Sequence, residues 1–432
     1  MVFLKKAGRI RRMIQFSFHK DLQYYKFCAY GFLKNLRFFE PFLYLFFLEK
    51  GLTYLQIGTL ITIREILRNV FEIPTGMLSD ILGRRRTMIG SFLFYIISFM
   101  IFYLTSSYGV FVVAMLFYAV GDAFRTGTHK AMIFEYLRIQ GWEHEKVGYY
   151  GHTRSWSQIG SAVSSLLAAG IVFYLGSYSS VFLFSAIPYF LDLLLMITYP
   201  RELDGQKEKV SWNVILGSFR EIVVPMIRSF RNKITVKAFS NIALYSGYFR
   251  VVKDYYQPVL ATLAAGLVLH INGIGEKQMS ALLIGIMYFI LYLGTSRASS
   301  NAERFSSLFD SFPAFLNRSL LIGLFLALIT GVFFLLHPPW YWLVVIPFSM
   351  IYLLENIRRP VGVAYVSEIF PSHILATVFS TESQVRSLFA AILAPVIGFL
   401  TDKFGVAVGL ILVSLFLLAL TPLVMLKETG RE

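Results

Sequence analysis

The chain has 432 residues, of which 56% are hydrophobic and 17% aromatic, and its mean hydropathy is +0.63. A soluble domain is about 45–50% apolar, so this composition favours an integral membrane protein. The net charge of +15 does not indicate nucleic-acid binding, because the charges cluster in alternate loops between apolar segments, and the single cysteine, Cys28, excludes a disulfide framework and a cysteine-based metal site.

The first segment, residues 1–23, is basic and loosely amphipathic. It lacks the uninterrupted apolar core of about 7–15 residues and the small-residue cleavage site of a signal peptide. Basic amphipathic segments lie on anionic lipid headgroups. We therefore expect a cytoplasmic arm that has membrane lipid as its partner.

Long apolar runs follow this arm along the rest of the chain. A membrane-spanning helix needs about 20 mostly apolar residues, and these runs are too long for strands and show no period of two. We therefore predict an all-α integral membrane protein. Its twelve predicted spans lie at about 24–48, 53–79, 87–106, 109–138, 148–174, 179–199, 234–262, 276–297, 315–336, 339–366, 376–400 and 404–426.

The loops between these spans differ in charge. With the N-terminus placed inside, the inner segments as far as residue 233 carry 18 lysines and arginines, whereas the outer loops carry only Lys50, Lys277 and Lys403. Cytoplasmic loops of membrane proteins are enriched in Lys and Arg. We therefore expect a multi-pass protein of the cell membrane (inner or plasma membrane) with both termini in the cytoplasm.

A long middle loop divides the twelve spans into six and six. Its apolar residues recur at alternating spacings of four and three, which predicts an amphipathic helix lying on the inner membrane surface. These residues are Trp212, Leu216, Phe219, Val223, Met226 and Phe230. The predicted domains are the arm (1–23), a first six-helix bundle (24–199), a linker (200–233), a second six-helix bundle (234–426) and a tail (427–432).

The loop between the second and third spans reads GMLSDILGRRRTM, from Gly76 to Met88. Gly76 allows two helices to approach closely, and Gly83 permits a sharp reversal of the chain. Asp80 is an acid at the membrane edge that can accept hydrogen bonds from the N-terminus of a neighbouring helix. The arginines after Gly83 hold the loop on the inner side.

In this loop the sequence resembles the Major Facilitator Superfamily, whose signature has the form G-x-L-x-D-x-x-G-R-[RK]-x. The matching residues are Gly76, Leu78, Asp80, Gly83, Arg84 and Arg85. The resemblance implies two six-helix bundles, each built from 3+3 inverted repeats, and transport by alternating access. It also implies that Asp80 and Arg84, with Gly76, Gly83 and Arg85, form a latch that holds the two bundles in the outward-open state.

A second copy of the spacing occurs in the predicted outer loop between the last two spans. The stretch GFLTDKFG repeats G-x-x-x-D-x-x-G through Gly398, Asp402 and Gly405. In the inverted-repeat scheme this loop is equivalent to the loop with Asp80, on the opposite face. The repeat therefore supports the resemblance.

Charged residues interrupt several of the apolar spans. On a continuous helix, Lys34, Arg37 and Glu40 fall within an arc of about 120°, and Asp122, Arg125 and His129 within about 60°. Charged faces inside a membrane turn toward the bundle interior or a water-filled cavity. The resemblance implies that the first, fourth, seventh and tenth spans line a central cavity. The candidate substrate-binding residues are Lys34, Arg37, Arg125, His129, Tyr245, Arg250 and Arg358.

Carboxylates in such a cavity are candidates for proton coupling, since burial raises the pKa of an acid unless a cation opposes it. We select Glu40, Asp122 and Glu135. The alternative, that the same charges neutralise one another in structural ion pairs, stays open. Within the spans, 13 basic residues outnumber 10 acidic ones, and a surplus of cations favours an anionic solute.

These features predict a secondary active transporter that moves a small polar, anionic solute and is coupled to H⁺. The alternative is a multidrug/proton antiporter, although the fifth span reads GSAVSSLLAAG and lacks the Gly-Pro signature of such antiporters. The sequence contains no P-loop and no HExxH or GxSxG motif, so we expect neither an enzyme nor a cofactor or metal. The expected partners are a small-molecule solute, lipid and H⁺, and the protein is expected to be a monomer.

Overall fold

The computed structural model describes residues 19–204, 233–268, 273–336, 340–370 and 375–427, apart from the side chains of a few residues that include Asp80. The predicted arm up to residue 18 and the amphipathic helix of the linker lie outside the described residues. The described chain is helical and contains no strand. The predicted all-α fold, with twelve transmembrane helices in two bundles, is confirmed.

The first bundle contains eight helical segments. They are α1 (Leu22–Lys34), α2 (Leu43–Glu49), α3 (Tyr54–Leu82), α4 (Arg84–Leu104), α5 (Tyr108–Arg125), α6 (Thr128–Ile139), α7 (Lys146–Leu175) and α8 (Ser180–Ile197). The described part of the second bundle contains α9 (Lys233–Val252), α10 (Tyr256–Val268), α11 (Glu276–Ser300), α12 (Ala302–Ser306), α13 (Phe312–Leu335), α14 (Val345–Ile369) and α15 (Leu375–Val424).

Three predicted spans are not continuous helices, and the prediction was wrong there. The span 24–48 is interrupted between Lys34 and Leu43, where Pro41 lies in a short 3-10 turn. The span 109–138 breaks before Thr128, and the span 234–262 breaks at a 3-10 turn over Lys253–Tyr255. Hydropathy averaged over a window of about 19 residues does not register such breaks, because each break is much shorter than the window.

Seven helical stretches of the described chain are long and apolar enough to cross a membrane by length and composition alone, and one of them, Tyr108–Ile139, joins α5 and α6. The breaks shorten some of the remaining spans, and charges such as Arg64 and Glu65 lower the hydropathy of α3. The last of the seven contains two spans. Gly405, with a φ of +83°, turns the chain between them.

The two bundles pack against each other mainly through α3 on α15 and α7 on α11. Glycines allow the close approach of the first pair. A Cβ on Gly58 would lie 2.7 Å from the carbonyl carbon of Ala394, and one on Gly398 would lie 2.7 Å from that of Tyr54. Backbone therefore contacts backbone along this interface.

Within the first bundle, α4 packs against α5 and α8, and α1 packs against α7. The core of this bundle is rich in aromatic rings. Phe99, for example, contacts Phe39, Phe182 and Tyr189, with ring centroids 4.9–6.4 Å apart. This packing holds the broken first span against the rest of the bundle.

Candidate functional site

We name the two ends of the molecule after the glycines at two of its turns. The chain reverses at Gly51 between α2 and α3, and at Gly83 between α3 and α4, and both glycines have positive φ. We call these the Gly51 end and the Gly83 end. The sequence predicts that the Gly83 end faces the cytoplasm.

At the Gly51 end, the side chain of Asp402 caps a helix of the other bundle. The backbone N–H groups of Tyr54 and Leu55, in the first turn of α3, donate to Oδ1 and Oδ2 of Asp402, each at 2.8 Å. The first N–H groups of a helix have no partner within the helix, and the helix dipole favours a negative charge there. Asp402 is the aspartate of the repeated G-x-x-x-D-x-x-G spacing, so this repeat has a structural role in joining the bundles.

Other contacts close the Gly51 end further. Lys277 of α11 forms an ion pair with Glu49 of α2. The side chain of Gln257 accepts a hydrogen bond from the backbone N–H of Tyr44 at 2.8 Å and donates one to the carbonyl oxygen of Glu40 at 3.0 Å. The broken first span makes the last contact possible, because it leaves backbone groups free to bind across the interface.

Charged residues meet at mid-depth between the bundles. Glu65 of α3 binds Arg64 at 3.0 Å and forms an ion pair with Arg250 of α9. Arg250 also donates to the hydroxyl of Ser387 at 2.7 Å. The predicted site residue Arg250 therefore lies between the bundles, with its charge compensated by Glu65.

A second mid-depth group surrounds Glu40. Its carboxylate lies 3.7 Å from Arg37 on its own segment and 3.7 Å from Lys253 of the other bundle. Lys253 also binds the neighbouring Asp254 at 3.0 Å. The structure thus brings the predicted residues Arg37 and Glu40 together, and Glu40 also pairs with Lys253 across the interface.

The predicted residues Asp122 and Arg125 form a network inside the first bundle. Asp122 lies 2.5 Å from Arg125 and 3.2 Å from Arg68 of α3, and it accepts a hydrogen bond of 2.8 Å from Tyr95. The arc computed across Asp122, Arg125 and His129 assumed one helix. The break between α5 and α6 separates His129 from Asp122 and Arg125, which remain together on α5.

His129 lies elsewhere in the first bundle. Its ring stacks on Tyr30, with centroids 3.5 Å apart, and its Nε2 lies 3.2 Å from the hydroxyl of Tyr199. The ammonium of Lys34 lies 6.0 Å from the centre of the same Tyr30 ring and has no hydrogen bond or ion pair among the described residues.

The remaining predicted residues of the second bundle pack together. The buried guanidinium of Arg358 donates to the carbonyl oxygen of Leu316 at 2.5 Å and to the hydroxyl of Ser319 at 2.5 Å. It also lies over the ring of Tyr245, 4.9 Å from the centroid. Tyr245 is fully buried and donates to the carbonyl oxygen of Ile351 at 3.3 Å.

The residues of the predicted latch lie at the Gly83 end. The backbone N–H of Arg85 donates to Asp204 at 2.8 Å, and Arg84 lies 4.0 Å from Glu135, which also binds Arg138 at 2.5 Å. The side chain of Asp80 lies outside the described residues, as does the environment of Gly76. Glu135, the third predicted proton-coupling residue, is thus an ion-pair partner at the Gly83 end.

A cavity of about 360 Å³ lies between the bundles in the half toward the Gly83 end. Its wall is apolar on the side of Val363, Val366 and Phe379. Its polar lining consists of Lys130, Ser246, Arg358, Arg359, Glu382 and Arg386. Cations from both bundles therefore face one space.

Of these lining residues, only Arg358 was selected from the sequence. Lys130 and Arg359 adjoin the selected residues His129 and Arg358, and they point into the cavity. Adjacent residues on a helix are about 100° apart, so the rotation of each helix decides which of the two faces the cavity. For Glu382 and Arg386, the signal available in the sequence was their spacing of one helical turn.

Comparison with known proteins identifies relatives of the whole chain. The MFS-type transporter YxaM of Bacillus subtilis (strain 168), named as uncharacterized, is 22% identical over 396 residues, which cover 88% of this chain and 89% of the relative. The crystal structure of the nucleoside transporter NupG has a TM-score of 0.71 at 14% identity and covers 93% of this chain and 96% of its own.

Other transporters have the same fold. A structure of the peptide transporter POT, in complex with sulfate, has a TM-score of 0.65 at 15% identity and covers 93% of this chain and 94% of its own. The sequence pattern of the Major Facilitator Superfamily matches residues 27–381 of this chain. The match extends over most of the chain and agrees with the two-bundle architecture, and the protein therefore belongs to the Major Facilitator Superfamily of membrane transporters.

Proposed function

We propose that the protein is a secondary active transporter of the cell membrane that carries a small anionic solute, and that this solute binds in the cavity between Lys130 and Arg359. The observation that carries the proposal is the composition of the cavity. Its described lining contains four cationic side chains, contributed by both bundles, and one carboxylate, Glu382.

Two of the cations form no ion pair among the described residues, although Arg359 acts on the charge of Glu355. Lys130 and Arg359 are exposed to the cavity, and neither forms an ion pair. The described contacts of Lys130 are with the rings of Phe134 and Tyr150, at 5.4 and 5.5 Å. Uncompensated cations in a confined space attract anions, and guanidinium groups bind carboxylate or phosphate oxygens in pairs.

The remaining pair in the cavity is incompletely bonded. Arg386 lies 3.7 Å from Glu382, which is long for a charge-assisted hydrogen bond. The Nε atom of Arg386 and the Oε1 atom of Glu382 are buried and have no hydrogen-bond partner among the described residues. Buried polar atoms are normally satisfied, so these two atoms favour a bound polar molecule at this place.

The contacts at the two ends support alternating access. Among the described residues, the hydrogen bonds and ion pairs between the bundles lie from the Gly51 end to the level of Asn69, which donates to Gln384 at 3.4 Å. The cavity lies in the other half. We propose that this is a state open toward the Gly83 end, in the cytoplasm, and that separation of Asp402 from α3 opens the opposite end.

A thermal-shift screen of the purified protein tests the anionic class. Matched anionic, neutral and cationic compounds are compared on the wild type, Lys130→Gln and Arg359→Gln. A ligand at 100 times its dissociation constant stabilises a protein by about 2.7 kcal/mol. We expect stabilisation by anions in the wild type and a much smaller effect in both variants.

The control is Lys403→Gln, which removes an exposed cation at the Gly51 end. It should respond to anions as the wild type does. Stabilisation by lipophilic cations alone, or an anion effect that survives in both cavity variants, would contradict the proposal and favour an efflux pump.

A further inference from the structure

A carboxyl group inside the first bundle lies apart from the cavity. Asp192, on α8, is fully buried, and neither of its oxygens has a hydrogen-bond partner among the described residues. It also has no cation within 4.0 Å in that part of the structure. By contrast, Asp122 contacts Arg68 and Arg125, as described above.

The groups that face Asp192 come from several helices. Lys34 and Arg125 are the cations that act on it electrostatically, from α1 and α5. Tyr30 of α1 and Tyr199, which follows α8, lie within reach of its charge. Other titratable or charged groups surround this set. His129 of α6 stacks on Tyr30 and contacts Tyr199, Tyr149 of α7 acts on Tyr199, and Tyr95 of α4 donates to Asp122. Arg37 acts on Tyr30 and Lys34, and Asp122 also acts on Lys34.

The ammonium of Lys34 is the natural partner of this carboxyl group. The two side chains act on each other but do not form an ion pair in this state, and Lys34 has no other described hydrogen bond or ion pair. Arg125 is already held by Asp122 and Tyr95. Of the two cations that act on Asp192, Lys34 is therefore the one without an ion pair among the described residues, although Asp122 also acts on it.

An ionised carboxylate without hydrogen-bond donors is strongly disfavoured in a buried site, whereas the neutral acid is tolerated there. The geometry points to a proton on Asp192 in this state. We propose that Asp192 is a proton-binding site of the transport cycle, and that Lys34 replaces the proton as its partner when the bundles rearrange. This inference rests on the proposed alternating access.

The break in the first span connects this site with the bundle interface. Lys34 is the last residue of α1, and the non-helical segment that follows carries Arg37 and Glu40. Through Glu40, this segment contacts Lys253 and Gln257 of the other bundle. When the bundles separate at the Gly51 end, the segment loses these contacts and α1 is free to move Lys34 toward Asp192.

The chemical step is a simple acid dissociation. The O–H bond of the Asp192 carboxyl breaks, the proton leaves to water, and the carboxylate forms an ion pair with the Lys34 ammonium. The reverse step takes up one proton. Each conformational cycle can thereby move one proton without any other reactant.

Infrared difference spectroscopy of the purified protein at neutral pH tests this assignment without any solute. The C=O stretch of a protonated carboxyl group is distinct from the bands of a carboxylate. We expect the wild type to show this band, and Asp192→Asn to lose intensity from it. Asp122→Asn should keep the full intensity, because Asp122 is ionised between two arginines. Glu355, which is buried with one oxygen unpartnered among the described residues, can account for a residual band. A wild type without the band, or an unchanged intensity in Asp192→Asn, would overturn the proposal.

A second variant covers the case in which Asp192→Asn does not fold. In Lys34→Met no ammonium can replace the proton. The protonated-carboxyl band should therefore persist to a higher pH than in the wild type, whereas an unchanged pH dependence would overturn the role of Lys34. Because the probe is the proton alone, these results are independent of whether anions bind in the cavity.

Discussion

The two halves of the bundle interface use their charges differently. In the half toward the Gly51 end, described charges such as Glu65, Lys253 and Asp402 are bound to partners across the interface. In the half toward the Gly83 end, Lys130 and Arg359 face a cavity and form no ion pair within the described part of the chain. Paired charges join the bundles in the first half, and we propose that the two cations in the second half bind the solute.

The two loops that share the G-x-x-x-D-x-x-G spacing lie at opposite ends of the molecule and can be compared in the same way. Asp402 accepts two backbone hydrogen bonds from the N-terminus of α3. Asp80 has the equivalent position in the repeated spacing, at the other end of the molecule. We infer that the two aspartates alternate: Asp402 holds the present state, and Asp80 holds the state that is open toward the Gly51 end.

The largest effect is expected from breaking the mid-depth ion pair. Glu65→Gln leaves Arg250 and Arg64 without a counter-charge in a buried site. Removing one partner of a buried pair costs about 3–5 kcal/mol, so the variant should unfold at a clearly lower temperature or denaturant concentration. The double variant Glu65→Gln/Arg250→Gln should recover part of the loss. Equal losses in the single and double variants would show that the pair does not act as a unit.

The next effect concerns the contact at the Gly51 end. Asp402→Ala removes two hydrogen bonds to a charged group, each of which contributes about 1.5–3 kcal/mol. Since 1.4 kcal/mol is a factor of ten, the population of the state open at the Gly51 end should rise at least about tenfold. Spin labels at Lys50 and Lys403, in a Cys28→Ser background, measure the separation of the bundles there.

The matched control for this change is Asp310→Ala, which removes an exposed aspartate at the Gly83 end. It should leave the distance distribution unchanged. A distribution in Asp402→Ala that coincides with that of the control would mean that Asp402 does not hold the state.

Asp80→Asn should act in the opposite direction and more weakly, since an amide loses the charge and one acceptor oxygen but keeps the other oxygen as an acceptor. The same pair of labels should report a shorter mean distance under conditions that otherwise favour opening at the Gly51 end. Transport should fall while membrane insertion is retained. If Asp80→Asn lengthens the distance instead, the two aspartates do not alternate.

The smallest effect is expected at the Lys277–Glu49 ion pair. Both side chains are partly exposed, at 39% and 27%, and exposed pairs contribute about 0.2–1 kcal/mol. Lys277→Gln should therefore change the free energy of unfolding only slightly, and less at high salt. A loss comparable to that of Glu65→Gln would show that this pair is more important to the closed half than its exposure suggests.

Much of the fold could be predicted from the sequence, and less of the site. Apolar runs of about 20 residues and the 76–88 loop identify the helices and the family, because both signals are local. By contrast, the pairing of two side chains from different helices is not encoded in a local stretch of sequence. Nothing in the sequence around Asp122 indicates that Arg68 lies 3.2 Å away.

Helix rotation and helix breaks account for the remaining differences between the predicted site and the site in the structure. The positive φ of Gly127 resets the rotation between α5 and α6, so His129 turns into the first bundle while Lys130 faces the cavity. Likewise, the break after Lys34 removes the continuous charged face predicted for the first span. Asp192 is one of the ten acidic residues within the predicted spans. The sequence does not show that its oxygens have no hydrogen-bond partner among the described residues, because this depends on side chains from other helices.

The most direct test of the central claim is a cryo-EM structure of the protein with the anion that stabilises it most in the thermal-shift screen. We predict density for the anion in the cavity, in contact with both Lys130 of the first bundle and Arg359 of the second. Density at another place, with Lys130 and Arg359 both free of it, would contradict the assignment of these two cations to the solute.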